Sequence, residues 1–252
     1  MVKYPFWLIK GDAKRLLRGK WNPLVLALFI PFVLFVAVQI RISMAMEGMA
    51  PTPQLEQYFL YSELASLVFS VVLQLMTVGI YENLKPDREK ASFFLVYKVA
   101  VKKVPKMVPA ILLGTVLPMA VTYLLSSDLT VRFYDYLMFS IMDIGTYQIV
   151  LSVLLMIVSF VSVYLQYSLL LLPAITVEHP EYNGFQLIKE SFLISKGIRF
   201  YLIMLTLSFL GWLILGSLAF YIGVLWAMLY MMTANYAYYR RLTIPEEPFH
   251  FA

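Results

Sequence analysis

"LSFLGWLILGSLAFYIGVLWAMLYMM", residues 207–232, holds no charged side chain, and the uncharged stretch around it runs from Phe200 to Tyr239. As one helix at about 1.5 Å per residue it would be roughly 60 Å long, twice the hydrocarbon thickness of a bilayer. It is therefore expected to fold back on itself. "SLAFYIG" (Ser217–Gly223) is the expected turn, with Gly216 and Gly223 relieving backbone constraint at either end. This predicts two crossing helices, Phe200–Leu218 and Ile222–Tyr239.

Four further apolar runs precede it, Asn22–Ile40, Tyr58–Ile80, Met107–Leu125 and Gly145–Leu172. Each is close to the roughly 20 residues that a span requires. The composition agrees. Apolar residues make up 61% and charged residues 14% of the 252, against about half and a quarter in soluble domains, too apolar for a soluble surface to cover. The expected fold is all-α: a polytopic membrane helix bundle of six transmembrane helices, with amphipathic interfacial helices on the cytoplasmic side. The first apolar run is longer than a signal-peptide core and lies further from the start, so it is read as a retained span. With no cysteine, a disulfide framework, thiolate metal sites and cysteine nucleophiles are excluded.

Lys and Arg orient this layout. They fall on the N-terminal segment (Lys3, Lys10, Lys14, Arg15, Arg18, Lys20), the loop after span two (Lys85, Arg88, Lys90, Lys98, Lys102, Lys103, Lys106), the loop before span five (Lys189, Lys196, Arg199) and the tail (Arg240, Arg241). Only Arg41 and Arg132 fall on the other side. Cations collect on cytoplasmic loops, so both termini are expected in the cytoplasm. The net charge of +5 is read as matching anionic headgroups of the lipid bilayer, not nucleic acid.

Each pair of spans follows a basic segment. In the first, Phe6, Ile9, Ala13, Leu16 and Leu17 share a helical face opposite Lys10, Lys14, Arg15 and Arg18. In the second, Phe93, Val96, Tyr97, Ala100, Val101 and Val104 oppose Lys98 and Lys102. The third, Phe185–Ile198, is less clean. The expected organisation is a single membrane domain, residues 1–252. It consists of an interfacial helix plus a hairpin three times over (1–80, 84–172 and 184–239), then a tail at 240–252. Pro31, Pro105, Pro109 and Pro118 are expected to bend spans.

Signals for chemistry are few. Glu63 is the one acid inside a span, near its outer end. Gln39, Gln74, Gln148, Gln166, Thr206 and Asn235 are the candidates for lining a polar cavity, against a plainer role as interhelical hydrogen bonds. Met44, Met46 and Met49 form a Met-rich stretch on the outer loop, a weak signal for monovalent copper. Glu178, His179 and Glu181 lie around Pro180 in a loop turn, and Asp128, Asp135 and Asp143 in the second outer loop. There is no Gly-rich phosphate loop, HExxH or GxSxG. The sequence makes no positive case for catalysis, for a cofactor or for a metal.

The last third, from Pro180 to Leu242, resembles the C-terminal signature of a bacterial family of uncharacterised integral membrane proteins. The resemblance rests on Pro180, Ser191, Gly197, the "LSFLGW" of Leu207–Trp212, Gly223, Trp226 and the Tyr238–Tyr239 pair, with "LLRGKW" (Leu16–Trp21) matching the opening segment. It departs at Thr206, where that family usually has an acid, and at Leu229–Tyr230, where it has Pro-Tyr. A fainter likeness is to membrane domains attached to some glycerophosphodiester phosphodiesterases. The resemblance implies a bacterial inner-membrane protein and no established activity. Within the signature, Gly211 and Gly216 are expected to let the last hairpin approach its neighbours. Trp212 is expected to be buried near mid-span and Trp226 to sit at the headgroups, with Ser208 and Gly223 as structural members. Three functions stay open: a transport or export component for a lipid, peptide or other amphiphile; a scaffold or immunity factor with a protein or peptide partner; and a lipid-modifying enzyme.

Overall fold

The computed structural model describes residues 4–48, 53–126, 144–218 and 222–244. Among them every regular element is a helix: α1 (Phe6–Leu16), α2 (Trp21–Met46), α3 (Pro53–Leu84), α4 (Phe93–Ile111), a π turn (Leu112–Val116), α5 (Leu117–Ser126), α6 (Ile144–Leu169), α7 (Leu172–Glu178), α8 (Gly184–Ser195), α9 (Arg199–Leu207), α10 (Leu210–Leu218) and α11 (Ile222–Thr243). Five stretches are long and apolar enough to cross a membrane: Trp21–Met46, Gln57–Leu84, Phe93–Leu124, Ser152–Glu178 and Arg199–Leu218. This is the architecture of a multi-pass membrane protein. The sixth expected span, Ile222–Tyr239, lies within α11 but is not among the five, because its second half carries Thr233, Asn235, a run of tyrosines and Arg240–Arg241.

Two expectations about continuity need correction. The second basic segment is not a helix apart from span three: α4 runs from Phe93 through Pro105 and Pro109 to Ile111. The carbonyls that these prolines leave without a donor belong to Val101 and Pro105, both exposed. The helix widens beyond them, at the π turn, where Pro118 has no N–H to offer the Gly114 carbonyl. Span five is also not one helix. It breaks between α9 and α10 at Ser208–Phe209, where the Phe209 amide bonds back to the Thr206 carbonyl at 3.0 Å.

The break is filled from outside. Lys10 Nζ donates to the Ser208 carbonyl at 2.8 Å and lies 4.5 Å from the Phe209 ring centre. Lys10 therefore does not share the open face of Lys14, Arg15 and Arg18; it is half-buried while those three are exposed. Burial pushes its ammonium below the ordinary lysine value.

Among the glycines of the last hairpin, Gly216 allows a close approach as expected, but the roles expected of Gly223 and Gly211 differ. Gly216 and Gly223 are helical, and a Cβ on Gly216 would come within 2.6 Å of the Gly223 backbone. They set the close approach of α10 and α11. Gly211 faces open space and sets no contact. A second such crossing joins α3 to α4 at Gly79, where a Cβ would meet the Val96 carbonyl at 2.2 Å.

The fully buried side chains gather toward the basic end. Tyr81 stacks on Tyr236 (4.9 Å) and Tyr201 on Tyr238 (4.6 Å). Asp12 is buried and pairs with Arg241, and Glu178 lies 3.6 Å from Arg240. Asn183 and Gln186 close a capping box that starts α8.

Candidate functional site: a polar cavity between the helices

One cavity of about 280 Å³ lies between α3, α4, the π turn, the α6–α7 junction and α11. α3 contributes Ser70, Gln74, Thr77 and Tyr81 at helical spacing, so these four share one face of the helix. The π turn contributes Gly114 and Thr115, and Gln74 Nε2 donates to Thr115 Oγ1 at 2.6 Å. The opposite wall is Gln166, Leu169 and Leu170 of α6 and its end, then Leu172 and Pro173 of α7. Met231, Met232 and Asn235 close it from α11. Pro173 cannot donate to the Leu169 carbonyl, and the span steps aside there. The Ser168 carbonyl beside this step accepts from Ser191 (2.7 Å) and Ser195 (3.1 Å) of α8.

Most polar groups facing the cavity are held. Thr77 Oγ1 donates to the Leu73 carbonyl at 2.8 Å, and the Tyr81 hydroxyl donates to the Met232 carbonyl at 2.9 Å. Asn235 differs in being buried with its oxygen unmet. Its residue is only 4% exposed, and Oδ1 has no hydrogen-bond partner among the described residues. A buried amide oxygen without a donor costs about 1–3 kcal/mol. Gln166 on the other wall is exposed, so the cavity is open at that side. No lining residue carries a charge.

Of the six cavity candidates, the fold brings three together: Gln74, Gln166 and Asn235. Gln39 sits elsewhere, bonded to Ser62 and Ser66 between α2 and α3. Thr206 returns its hydroxyl to the Leu202 carbonyl at 2.9 Å. Gln148 lies in α6, but its side chain is outside the described residues. The sequence reading missed Thr115, Thr77 and Tyr81. Thr115 was signalled by "LGTVLP", a glycine, a hydroxyl and a proline within one span. Tyr81 carried no signal apart from its place seven residues after Gln74.

The remaining candidates are scattered. Met44 is exposed and Met46 half-buried at the end of α2, and Met49 lies outside the described residues. Glu63 is exposed. His179 Nδ1 is 3.2 Å from Glu181 Oε1, and its ring stacks on Tyr182. Glu178 instead turns inward to accept from the Tyr236 hydroxyl at 2.5 Å. Asp128, Asp135, Asp143 and His250 lie outside the described residues. Trp212 is 56% exposed, not buried, because the break at Ser208–Phe209 turns α10 relative to α9; Trp226 is 43% exposed.

The sequence pattern of DUF975, described as a protein of unknown function, matches residues 7–246. The chain belongs to the DUF975 family. No curated protein and no solved structure matches it. As a DUF975 member the chain acquires a family but no activity, so the cavity has to be read on its own chemistry.

Proposed function

We propose that this DUF975 protein binds a small neutral, hydrogen-bond-donating solute, or the neutral head of an amphiphile, in the cavity between α3 and α11, as part of its transport or export. The observation that carries this is Asn235, which lines a cavity without charged residues and whose buried Oδ1 has no hydrogen-bond partner among the described residues. A charged ligand would stay uncompensated there, and a hydrocarbon chain would leave the amide unmet. In this reading the basic end of the bundle, with both termini, faces the cytoplasm, as the distribution of Lys and Arg favours. In that orientation α11 is a sixth crossing. Its low apolarity is no obstacle, since Thr233 and Asn235 are buried inside the protein and not offered to lipid. α1 and α8 serve as the cytoplasmic surface helices.

The test is thermal unfolding of the detergent-solubilised protein against neutral polyols, monoacylglycerols and blocked dipeptides. A ligand present at a hundred times its Kd stabilises by about 2.7 kcal/mol. At least one neutral compound is expected to raise the melting temperature of wild type and not of Asn235→Leu. Stabilisation that survives Asn235→Leu, or no stabilisation by any neutral compound, would sink the reading.

A further inference from the structure

Away from the cavity, the structure joins a cationic hollow to an aromatic groove. Lys14, Arg15 and Arg18 surround the hollow together with Gly11, Gly19 and Trp21, enclosing about 490 Å³. The three cations are exposed and form no ion pair among the described residues. Gly11 and Gly19 leave the floor open, with nothing within 4 Å of where a Cβ would stand, and Gly19 sits at φ +75°, which favours glycine. The groove, about 470 Å³, continues from Lys14 and Trp21 along α10 and α11 past Trp212 and Trp226. It reaches the Gly216–Gly223 crossing, where both helices lack side chains. Lys14 and Trp21 line both spaces, so the two adjoin.

We infer that this joined surface is a binding site for one anionic phospholipid, with its phosphate among Lys14, Arg15 and Arg18 and an acyl chain along Trp21, Trp212 and Trp226. Charge complementarity selects the head. Clustered cations at a membrane surface attract anionic headgroups, and three exposed ones, Lys14 and Arg15 in the last turn of α1 and Arg18 just past its end, make a local site. The groove selects the tail. Its walls are aromatic and aliphatic, it starts beside the cations, and Trp rings prefer the boundary between headgroup and chain. A soluble anion would use the hollow and leave the exposed indoles unexplained. Lys10, one turn before Lys14, contributes nothing to the head, because its ammonium is committed to Ser208.

The chain contains 4 tryptophans, and with Trp7→Phe all that remain line this groove, so brominated lipids report on it directly. The Trp7→Phe protein is placed in nanodiscs of phosphatidylcholine containing brominated phosphatidylglycerol or, in parallel, brominated phosphatidylcholine. Phosphatidylglycerol is expected to quench with about tenfold higher apparent affinity, and K14Q/R15Q/R18Q to bring the ratio to about one. K98Q/K102Q, which removes exposed cations of α4, is expected to keep the preference. Excess inorganic phosphate in the buffer is expected to leave the ratio unchanged. Equal quenching by the two lipids in the unmutated site overturns the inference, whatever the triple variant does. Loss of preference in K98Q/K102Q or on adding phosphate also overturns it. So does shielding of Trp212 and Trp226 from both brominated lipids, the result expected if a second copy of the chain fills the groove.

Discussion

The two halves of this bundle are built from the same helices and held together by different means. Toward the basic end, α2 buries Leu24, Val25, Ala27 and Leu28, α3 buries everything from Met76 to Tyr81, and the residues from Leu171 to Val177 are all buried. Toward the far end, α2 buries no residue from Phe29 to Met46, and none of the described side chains of α3 is buried before Met76. The described part of α6 buries none before Ser168. What ties the far half is one stacked pair, Phe35 on Phe69 at 4.3 Å, the Gln39–Ser62–Ser66 cluster and the Gly216–Gly223 crossing of α10 and α11. Water drives apolar side chains into a soluble core, but lipid does not, so a membrane bundle coheres where small residues, hydrogen bonds and ion pairs allow close packing. Most of those residues, and all the ion pairs among the described residues, lie in the basic half, with the polar cavity at its edge.

If that division is correct, mutations in the basic half are costly and those in the far half are mild. Gly79→Val is expected to be the most damaging, because its side chain would enter the Val96 backbone and force α3 from α4. A loss of roughly 3 kcal/mol or more, seen as aggregation on size exclusion in detergent, is the expected outcome. Glu178→Gln comes next. It removes the charge 3.6 Å from Arg240 and weakens the Tyr236 hydrogen bond, for about 1–3 kcal/mol by thermal unfolding. A Gly79→Val protein as stable as wild type would break the contrast outright.

Lys10→Met is expected to cost about 1 kcal/mol, one hydrogen bond to the freed Ser208 carbonyl, and it carries a pH signature. Because burial lowers the Lys10 pKa, the unfolded chain binds more protons than the folded one between the lowered value and the ordinary 10.5. This group therefore makes stability rise with pH across that window. The variant should lose that part of the slope, measured as melting temperature against pH.

Why the sequence showed the helices but not this division follows from what apolarity records. Hydropathy reports that Asn22–Ile40 can face hydrocarbon, and it reads Leu24, which is buried, and Leu34, which is exposed, as the same letter. Breaks inside apolar runs were invisible for the same reason. Ser208–Phe209 looks continuous, because the residue that stabilises the break, Lys10, lies 198 positions away. The cavity was half legible. Polar residues in spans are rare enough to single out Gln74, Gln166 and Asn235, yet Gln39 and Thr206 gave the same signal and pair locally. Only the third dimension separates a glutamine that faces a cavity from one that clips two helices.

Gln39→Leu offers the finest test of the division. Its amide accepts from Ser62 at 2.9 Å and donates to Ser66 at 3.2 Å, which in a buried soluble core would make it a costly residue to lose. In a bilayer, interhelical hydrogen bonds of this kind average about 0.6 kcal/mol. Leucine also restores apolar contact in a region whose neighbours already face outward, so the expected loss is about half a kcal/mol, a melting shift close to the limit of measurement. The same exchange at Gln74 removes the bond to Thr115 beside the cavity, and should cost more. The ratio of the two is the informative number, since both replace a glutamine on a spanning helix with the same residue. Equal losses would mean that the far half is packed as firmly as the basic half, and that exposure there reflects a missing neighbour and not lipid.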